Sequence, residues 1–560
     1  MSAPDDRIIV VVGGVAGGAT AATRARRCNE TARIIIYEKD GYASFANCGL
    51  PYYIGGEITE RAKLLVAKPE TFRDRYRIEL NTRHEVTKVD TTAREVTVLN
   101  RDSGETFTQK YDRLILAPGA APIVPPIAGA NAPNVLTLRN MEDTDRIHGF
   151  LASEKPKRAV VIGAGFIGLE MAEQLKHRGL EVSVVELAPQ VLPPLDPEMA
   201  AFIAEELRAH GVGVHTGDGV KAFTLAGERV AAVVLDSGAS LDADLVILSI
   251  GVRPNTGLAK DAGIAIDAGG GIVTDEYMRT SAPGVYALGD AANYRHGVTG
   301  QAMRVPLAGP ANRAGRVVGE HAATDAGPAM PTVMGTAIIR VFGKTAALTG
   351  LTTKAARRAN IAAKEAIITA NNHAGYYPGA QGMTLKLVYC ANTGKVLGGQ
   401  AVGGDGVDKR IDVIATALSF GGTVEQLAGL DLCYAPPFGS AKDIVHVAAF
   451  AAMNDLAKSS ELAHADTPKD APQFVDVRTC AEHTACCHPA ATHIPVDELR
   501  DRIGELDPAK ETLVTCQSGL RAHIAARILR QKGFDKVRNL TGGMLVQQRV
   551  CPNELTPKKD

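Results

Sequence analysis

The sequence has almost no net charge and no long hydrophobic run. It contains 61 lysines and arginines against 62 aspartates and glutamates in 560 residues, a net charge of -1. This balance argues against a polybasic protein that binds nucleic acid or a membrane surface. No apolar run reaches the ~18 residues of a membrane-spanning helix, and the first residues, MSAPDDRIIV, lack the layout of a secretory signal. We therefore predict a cytoplasmic protein with no membrane span and no nucleic-acid partner.

Paired cysteine motifs are also missing. The nine cysteines stand at positions 28, 48, 390, 433, 480, 486, 487, 516 and 551, and no two of them form a C-x-x-C pair. An odd, scattered set is not typical of a disulfide framework or of a structural zinc site. We expect reduced thiols, no bound metal, and chemistry that depends on individual cysteines.

The length and composition indicate a multidomain globular protein. Apolar residues make up 45% of the chain and charged residues 22%, which is ordinary for soluble globular domains. A chain of this length exceeds one hydrophobic core and predicts roughly three to four domains. Glycine is frequent, at 57 residues, which suggests several tight turns around ligands.

A strand–turn–helix–strand pattern typical of dinucleotide-binding domains occupies residues 158–186. The turn after the strand RAVVI carries the three glycines of a G-x-G-x-x-G motif: Gly163, Gly165 and Gly168. Such glycines let the backbone approach a pyrophosphate at the helix N-terminus. Glu186 ends the next strand, where it can accept a hydrogen bond from a ribose 2′-hydroxyl. Leu187 follows in place of an arginine, which favours NADH over NADPH.

The same pattern begins near the N-terminus, with the strand RIIVVV, the turn GGVAGG and the strand RIIIYEK. Gly13 and Gly18 hold the outer positions of this turn, and Gly17 lies next to Gly18. Val15 takes the place of the middle glycine, and Glu38 supplies the acid. One such turn alone also occurs in ordinary α/β connections. Two turns, each with its acid at the right distance, favour two dinucleotide sites.

Residues 1–455 resemble the flavoprotein disulfide reductases that bind two dinucleotides. The segment TSAPGVYALGD, residues 280–290, is similar to the second FAD motif of that family, in which an aspartate, here Asp290, contacts the ribityl chain. The resemblance implies that the first glycine-rich turn binds FAD and that the second binds NADH.

The segment SFANCGLPYYIGG carries one cysteine where many disulfide reductases carry two. Cys48 is followed by Tyr53 at the usual position of the partner. The segment closely resembles the single-cysteine subgroup that reduces coenzyme A disulfide and related persulfides. The resemblance implies that reduced flavin passes electrons to Cys48, and that a low pKa near the flavin favours its thiolate. An inert buried cysteine is the alternative.

Two tyrosine segments extend the resemblance. HAGYYPGA and DLCYAPPFGSAKD resemble the HAxYYPG and YAPP segments of the same subgroup. The resemblance places Tyr376 and Tyr434 near the redox centre of the partner subunit in an obligate homodimer, where a phenol can donate a proton to a leaving thiolate. Tyr377 competes with Tyr376 for this role, and a structural interface tyrosine is the alternative for each. Cys433 is a candidate modulator.

The resemblance also implies a coenzyme A site, with cations for the phosphates and short polar groups for the pantetheine arm. Its residues would be Thr20, Arg24, Arg27, Ser44, Asn47, Asn312 and Lys442. The two arginines lie three residues apart on one predicted helix and share a face, for which a solvated surface is the alternative. Asn312 stands where a relative has histidine, and Tyr76 stands where a relative has lysine.

The sequence pattern of residues 473–560 predicts a separate small α/β domain. The strand TLVT leads into Cys516, which with Arg521 forms C-x4-R, and then into a helix. A cysteine between a strand and a helix N-terminus is typical of an anion cradle that favours the thiolate, and a structural turn is the alternative. The domain resembles a rhodanese, in which such a loop carries a persulfide sulfur. Cys486 and Cys487 are interpreted as surface or structural thiols.

We therefore predict an α/β protein with two Rossmann-like dinucleotide-binding domains, an α+β dimerisation domain and a C-terminal rhodanese-like α/β domain. The predicted segments are the first part of the FAD-binding domain (1–150), the NADH-binding domain (151–255), the second part of the FAD-binding domain (256–328), the dimerisation domain (329–454), a linker (455–472) and the rhodanese-like domain (473–560).

The whole chain resembles the fused coenzyme A disulfide reductase–rhodanese group. The resemblance implies a flavoprotein that uses NADH to reduce coenzyme A persulfide, polysulfide or coenzyme A disulfide through Cys48, while Cys516 delivers sulfane sulfur. The alternatives are an NADH oxidase that consumes O2, and a redox-sensing or sulfur-carrier flavoprotein without rapid turnover. Related oxidases carry a histidine where this chain has Ala16, which disfavours the oxidase.

Overall fold

The computed structural model describes residues 6–467 and 472–556. Residues 1–5 and 557–560 of the predicted terminal domains, and residues 468–471 of the predicted linker, lie outside the described residues. The helices are α1 (Ala16–Cys28), α2 (Leu50–Gly55), α3 (Met141–Glu154), α4 (Phe166–His177), α5 (Pro197–Ala209), α6 (Gly257–Asp261), α7 (Ala308–Thr324), α8 (Thr353–Arg358), α9 (Val407–Ser419), α10 (Val424–Ala428), α11 (Ile444–Leu456), α12 (Cys480–Ala485), α13 (Leu520–Gln531) and α14 (Gly543–Val550). None of these described helices has the length and apolar character needed to cross a bilayer.

The chain folds as two units. The first comprises the described residues up to Pro189 together with Gly211–Val333, and the second comprises Gln190–His210 and the residues from Met334 onward. The strands of the first unit are β1 (Ile8–Val12), β2 (Arg33–Glu38), β3 (Glu79–Thr82), β4 (His84–Asp90), β5 (Glu95–Asn100), β6 (Thr106–Lys110), β7 (Arg113–Leu116), β8 (Ala120–Pro122), β9 (Val135–Thr137), β10 (Arg158–Ile162), β11 (Glu181–Glu186), β12 (Gly213–Thr216), β13 (Val220–Ala226), β14 (Arg229–Leu235), β15 (Ser240–Asp242), β16 (Leu245–Leu248), β17 (Val252–Pro254), β18 (Val285–Ala287), β19 (Asn293–Arg295) and β20 (Ala302–Arg304). The strands of the second unit are β21 (Ala337–Val341), β22 (Lys344–Gly350), β23 (Ala363–Asn371), β24 (Gly382–Cys390), β25 (Val396–Gly403), β26 (Glu461–Ala463), β27 (Gln473–Asp476), β28 (Thr492–His493), β29 (Thr512–Thr515) and β30 (Val537–Leu540).

The first unit contains a parallel sheet in the order β18-β7-β1-β2-β3. Strand β1 fits its centre because residues 9–11 are apolar, β-branched and fully buried. Helices α1 and α7 pack closely because a Cβ on Gly319 would lie 2.3 Å from the carbonyl oxygen of Ala21. The predicted N-terminal strand–turn–helix–strand pattern is confirmed.

A second parallel sheet of the first unit has the order β12-β11-β10-β16-β9. Its centre is the run of buried valines in β10, and α4 follows that strand directly after the second glycine-rich turn. Parallel neighbours bring the carboxyl ends of β10 and β11 to one edge of the sheet, so the turn and Glu186 lie side by side. The pattern predicted for residues 158–186 is confirmed.

The second unit begins with an antiparallel sheet in the order β21-β22-β25-β24-β23. The segments TAIIRVF and MTLKLVYC form β21 and β24, and IDVIATALSF forms most of α9. Ile411 and Ile414 give α9 its buried face, because residues three and four apart share a side of a helix.

Strand β24 carries a fully buried lysine. The Nζ atom of Lys386 lies 2.9 Å from Asp196 and 2.5 Å from Glu365, and it also contacts the carboxylate of Glu198. The Nδ1 atom of His464 lies 2.5 Å from the other oxygen of Glu365. A buried ammonium group is tolerated only with such anionic partners. The cluster therefore connects the start of α5, strands β23 and β24, and the segment after β26.

A parallel sheet in the order β26-β30-β29-β27-β28 forms the C-terminal part of the second unit. Strand β29 is fully buried and leads through the Cys516 loop into α13. Helix α14 follows the neighbouring strand β30. The segment predicted as a linker contains the end of α11 and the edge strand β26. The predicted α/β fold class is confirmed.

Candidate active site

The second glycine-rich turn is built around Glu186. Its carboxylate accepts hydrogen bonds from the backbone N–H groups of Ala164 at 2.7 Å and Ala188 at 2.9 Å. Gly163 has a φ of +100°, and a Cβ on Gly168 would lie 1.9 Å from the carbonyl oxygen of Gly163. Both positions therefore require glycine for the turn itself.

Gly165 is different, because packing within the protein does not require a glycine there. A Cβ on Gly165 would meet no described atom within 4 Å. Helix α4 begins at the next residue, so a side chain would occupy the space in front of the helix N-terminus where a pyrophosphate is bound. The residues of this turn fit a nicotinamide dinucleotide.

The first glycine-rich turn repeats the same hydrogen-bond pattern. The buried carboxylate of Glu38 accepts a hydrogen bond from the N–H of Gly14 at 2.7 Å. Burial raises the pKa of Glu38, although the backbone hydrogen bonds that it accepts act to lower this pKa. A Cβ on Gly18 would lie 1.9 Å from the carbonyl oxygen of Gly13, whose φ is +96°. Val15 has a negative φ of -86°, so this position does not have the left-handed conformation that favours glycine. The turn therefore keeps its shape without a middle glycine and fits a dinucleotide.

Gly17 serves the packing of the same site. A Cβ on Gly17 would lie 2.3 Å from the Leu288 side chain. Two residues later, Asp290 forms an ion pair with Arg139 at 2.6 Å. The sequence motif singled out Asp290 but not Arg139, because 151 residues separate them and no local pattern marks the arginine.

Cys48 lies in the short turn Asn47–Gly49 directly before α2, and it is exposed to solvent. Ser44, at the start of this segment, has a φ of +49°. Its N–H donates a hydrogen bond to the carbonyl oxygen of Gly14 at 2.9 Å. This bond attaches the cysteine segment to the first glycine-rich turn. The exposure of Cys48 argues against the alternative of an inert buried thiol.

The protein groups around Cys48 disfavour its thiolate. Neighbouring atoms desolvate the thiol despite its exposure and raise its pKa, the carboxylates of Glu170 and Asp290 raise it further, and Arg139 opposes them. The low pKa that the resemblance implies for Cys48 beside the flavin stays a prediction, since these protein groups act in the opposite direction. Desolvation is the largest of their effects, and the carboxylates that add to it come from distant segments that are not part of the cysteine motif.

Helix α2 connects Cys48 to the second glycine-rich turn. The hydroxyl of Tyr52 donates a hydrogen bond to Glu170 on α4 at 3.1 Å. The two helices approach closely at Gly55, where a Cβ would lie 1.7 Å from the amide oxygen of Gln174. The helix that follows the cysteine turn therefore packs directly against the helix of the second dinucleotide turn.

Some of the residues on α1 and α7 that are predicted to bind coenzyme A already form hydrogen bonds or ion pairs within the protein. The hydroxyl of Thr20 donates to the amide oxygen of Asn312 at 2.6 Å. Arg24 forms an ion pair with Glu320 at 2.5 Å, and this hydrogen bond raises the pKa of Arg24. A phosphate would therefore compete with Glu320 for Arg24.

The other predicted coenzyme A residues are more accessible. Arg27 is exposed, with its guanidinium carbon 5.9 Å from the centre of the Tyr76 ring. Ser44 and Asn47 are half-buried beside Cys48 in sequence. Lys442 is exposed just before α11, in the second unit.

The two predicted tyrosines meet in the second unit. Their hydroxyl oxygens lie 3.3 Å apart, and both rings are exposed, Tyr376 by 77% and Tyr434 by 50%. The hydrogen bond with Tyr434 raises the pKa of Tyr376. Tyr377 instead packs against His373, with ring centres 5.7 Å apart. This geometry favours Tyr376 over Tyr377 as the partner of Tyr434. Cys433 is exposed next to Tyr434.

Cys516 follows β29 and is 1% exposed. Its Sγ accepts a hydrogen bond from the N–H of Gly519 at 3.1 Å. Gly519 has a φ of +107° and directly precedes α13. Arg521, in the first turn of α13, forms two hydrogen bonds of 2.7 Å with Glu482, which raise its pKa. The loop therefore directs backbone N–H toward the sulfur, while its arginine is held by an acid.

Sequence reasoning missed several residues of these sites. Arg139, Glu170 and Glu482 lie far along the chain from the residues they contact, and no motif includes them. No metal site was predicted, yet three side chains bring ligand atoms within 4.8 Å of one another at the α2–α4 contact: Glu57, Glu173 and His177.

Three known domain families match the sequence. Residues 7–315 match pyridine nucleotide-disulphide oxidoreductase, residues 336–446 match the dimerisation domain of such proteins, and residues 460–546 match the rhodanese-like domain. A coenzyme A disulfide reductase of Staphylococcus haemolyticus is 35% identical over 448 residues, which cover 80% of this chain and 99% of that protein.

Two solved structures are similar over nearly the whole chain. The crystal structure of reduced Bacillus anthracis CoADR-RHD matches with a TM-score of 0.95 and 44% identity, covering 99% of each chain. The structure of a NAD-dependent persulfide reductase from A. fulgidus matches with a TM-score of 0.90 and 39% identity, covering 96% of this chain and 99% of that one.

Proposed function

The chain belongs to the pyridine nucleotide-disulphide oxidoreductase family, and we propose that it is an NADH-dependent flavoprotein that reduces coenzyme A persulfide, polysulfide or coenzyme A disulfide through Cys48. The predicted resemblance to fused coenzyme A disulfide reductase–rhodanese proteins is confirmed by the matching domains and structures. The observation that carries the proposal is the exposed Cys48 on a turn that is hydrogen-bonded, through Ser44, to the first glycine-rich turn.

The two glycine-rich turns supply the cofactor sites of this proposal. Residues of the first turn and its surroundings would hold FAD: Gly13, Gly17, Gly18, Glu38 and Asp290. Residues of the second turn would hold NADH: Gly163, Gly165, Gly168 and Glu186. FAD supplies two-electron transfer between a nicotinamide and a sulfur group. The carboxylates of Glu38 and Glu186, each fixed by backbone N–H groups of its turn, orient the dinucleotides.

Cys48 is the nucleophile. With coenzyme A persulfide, its thiolate attacks the sulfur attached to coenzyme A, the S–S bond of the substrate breaks, and hydrosulfide leaves. The new bond is a mixed disulfide between Cys48 and coenzyme A. Two-electron reduction of that disulfide releases coenzyme A as its thiol and restores Cys48.

Tyr434 and Tyr376 donate the proton that a leaving thiolate needs. Their hydrogen-bonded, exposed hydroxyl groups suit this role, because a phenol keeps its proton at neutral pH until a strong base forms beside it. The dimerisation-domain match at residues 336–446 supports a homodimer in which these tyrosines serve the Cys48 of the partner.

The family resemblance assigns seven residues to coenzyme A in this proposal. Thr20, Arg24 and Arg27 lie on α1, Asn312 lies on α7, and Ser44 and Asn47 precede Cys48. Lys442 is the seventh, and it lies just before α11. Cations and short polar groups match the phosphates and amides of coenzyme A.

Cys516 accepts sulfane sulfur from a donor and passes it toward Cys48. The buried sulfur and the N–H of Gly519 directed at it support a persulfide at this position, because loop N–H groups and a helix N-terminus stabilise an anionic sulfur. All nine cysteines lie in the described residues and no two of them form a disulfide there, which supports a reducing, cytoplasmic compartment.

Anaerobic NADH oxidation with each of the three sulfur substrates tests the proposal, in wild type, Cys48→Ser, Cys516→Ser and the control Cys480→Ser, which changes another exposed cysteine. We expect Cys48→Ser to lose turnover with all three substrates and Cys480→Ser to retain it. Full persulfide turnover by Cys48→Ser would contradict the proposal. In a parallel assay in air, NADH loss matched by oxygen uptake, without any gain from sulfur substrates, would instead support an oxidase. Negligible turnover with a stable Cys516 persulfide would support a sulfur carrier.

A further inference from the structure

The only cationic side chain of the loop Cys516–Arg521 is already neutralised. Both terminal nitrogens of Arg521 donate to the carboxylate of Glu482, each at 2.7 Å. A guanidinium binds an oxyanion of a ligand through the same pair of parallel hydrogen bonds. Glu482 takes two of the five N–H donors of Arg521 and compensates its charge, while Arg521 also contacts the Cys516 side chain. An anionic donor would therefore meet an arginine whose charge is already balanced by an acid.

The carboxylate is held independently of the arginine. Glu482 lies at the third position of α12, where one of its oxygens accepts the N–H of Thr479 at 3.0 Å and the hydroxyl of Thr479 at 2.8 Å. This is a capping box, in which the helix start itself fixes the acid. Hydrogen bonds from Arg521 and Thr479 lower the pKa of Glu482 to about 2, so the acid stays charged at neutral pH.

The edge of the loop is apolar. Leu520 is 68% exposed and Ile524 is 41% exposed, on either side of Arg521 in the sequence of α13. The two residues are four apart and therefore share one face of the helix. Exposed apolar side chains next to a reactive sulfur suit the organic part of a donor better than a compact, strongly hydrated anion.

We infer that Glu482 is a specificity-determining residue of the Cys516 loop, which selects organic persulfides over thiosulfate-type dianions as sulfur donors. This inference rests on the proposed role of Cys516 in taking up sulfane sulfur. The backbone N–H of Gly519 still stabilises the single transferred sulfur, while the negative charge of Glu482 opposes a dianion.

The transfer involves no net oxidation. The Cys516 thiolate attacks the outer sulfur of a persulfide R–S–SH, a new S–S bond forms at Cys516, and the S–S bond of the donor breaks. The proton stays on the transferred sulfur and R–S⁻ leaves. With thiosulfate the same attack releases sulfite, a dianion whose charge meets a loop arginine that is already paired with Glu482.

Glu482→Gln separates charge from structure, because glutamine also forms a capping box but cannot neutralise Arg521. The matched control is Glu498→Gln, which removes an exposed acid that pairs with Arg502 at 2.9 Å. Sulfur loading of Cys516 is followed by mass spectrometry of the full-length holoenzyme, with thiosulfate and with glutathione persulfide. Glu482→Gln should raise kcat/KM for thiosulfate by about tenfold or more, mainly through KM, since it frees a charge-assisted contact. The rate with glutathione persulfide should change by less than about twofold.

Two outcomes would overturn the inference: an unchanged ratio between the donors, or an equal loss with both, which would indicate a structural role for Glu482. Glu498→Gln should leave the ratio at the wild-type value. The variant Cys516→Ser tests the proposed role of Cys516 separately from the role inferred for Glu482. If that variant still loaded sulfur at this loop, the role of Cys516 would fail, whereas failure of Glu482→Gln alone would leave that role intact.

Discussion

The hydroxyl groups of Tyr376 and Tyr434 form a hydrogen bond of 3.3 Å across 58 residues of sequence. One tyrosine follows β23 and the other precedes α11, so only the fold of the second unit brings them together. A hydrogen bond between two phenols leaves one of the two protons available to a third group. The pair can therefore present one proton to a leaving thiolate while the second ring holds its geometry.

The first prediction concerns these tyrosines. Tyr434→Phe should lower kcat with coenzyme A disulfide by about 100-fold, because general acids contribute at least this factor. Tyr376→Phe should lower kcat less, since it removes only the supporting hydroxyl. Tyr377→Phe is the matched control, because its ring packs against His373, and it should keep wild-type kcat. Steady-state anaerobic kinetics measure all three, and a larger loss for Tyr377→Phe than for Tyr434→Phe would refute the assignment.

The second prediction concerns the ionisation of Cys48. Glu170 raises the pKa of this thiol, so Glu170→Gln should lower that pKa and increase the thiolate fraction at pH 7.5. Alkylation of Cys48 by iodoacetamide in the reduced holoenzyme should then be about threefold faster, because the thiolate is the form that reacts. Tyr52→Phe removes the hydrogen bond to Glu170 but keeps the charge, and it should not accelerate alkylation. Peptide mass spectrometry quantifies the reaction, and an unchanged rate in Glu170→Gln would contradict the electrostatic account.

The third prediction concerns the buried lysine of β24. Lys386→Met should destabilise the second unit by about 3–5 kcal/mol, because it leaves three carboxylates in the interior without their cation. Lys63→Met is the control, since Lys63 and Glu60 form an exposed pair that contributes at most about 1 kcal/mol. Urea denaturation with hydrogen exchange of β24 measures the effect. Equal stability of Lys386→Met and wild type would show that the cluster does not hold this unit together.

The fourth prediction concerns pH. The hydrogen bond to Glu365 raises the pKa of His464. A raised folded-state pKa means that the contribution of His464 to stability is complete below its unfolded pKa of about 6.5 and is lost as the pH rises through the folded value. The stability difference between wild type and His464→Gln should therefore be largest near pH 6 and should shrink toward pH 9. Urea denaturation across this range measures it, and a difference that grew with pH would reverse the sign of the argument.

Much of the candidate site is predictable from the sequence because its signals are local. Gly13, Gly18, Gly163 and Gly168 are needed for turns whose geometry is set within six residues. The acids Glu38 and Glu186 follow at the distance that one helix and one strand impose. Cys48 and Cys516 lie in motifs that a resemblance identifies, and the helices and strands around them follow from hydrophobic periodicity.

The ionic environment of those residues is not predictable in this way. Desolvation raises the pKa of the Cys48 thiol, and Glu170 and Asp290 add to this effect from two other segments. The motif around Cys48 contains no charged residue, so it gives no sign of these two carboxylates. The same limit applies to Arg24, whose pairing with Glu320 depends on the close contact of α1 and α7.

By itself, the sequence determined the strand–turn–helix units, the glycines of the two dinucleotide turns and the two cysteines placed for sulfur chemistry. These follow from backbone geometry and from side-chain periodicity over a few residues. Only the tertiary structure decided which charges meet: Arg139 with Asp290, Arg521 with Glu482, and Lys386 with its three carboxylates. Such pairs form wherever packing brings two distant segments within hydrogen-bond distance, and no spacing along the chain encodes that distance.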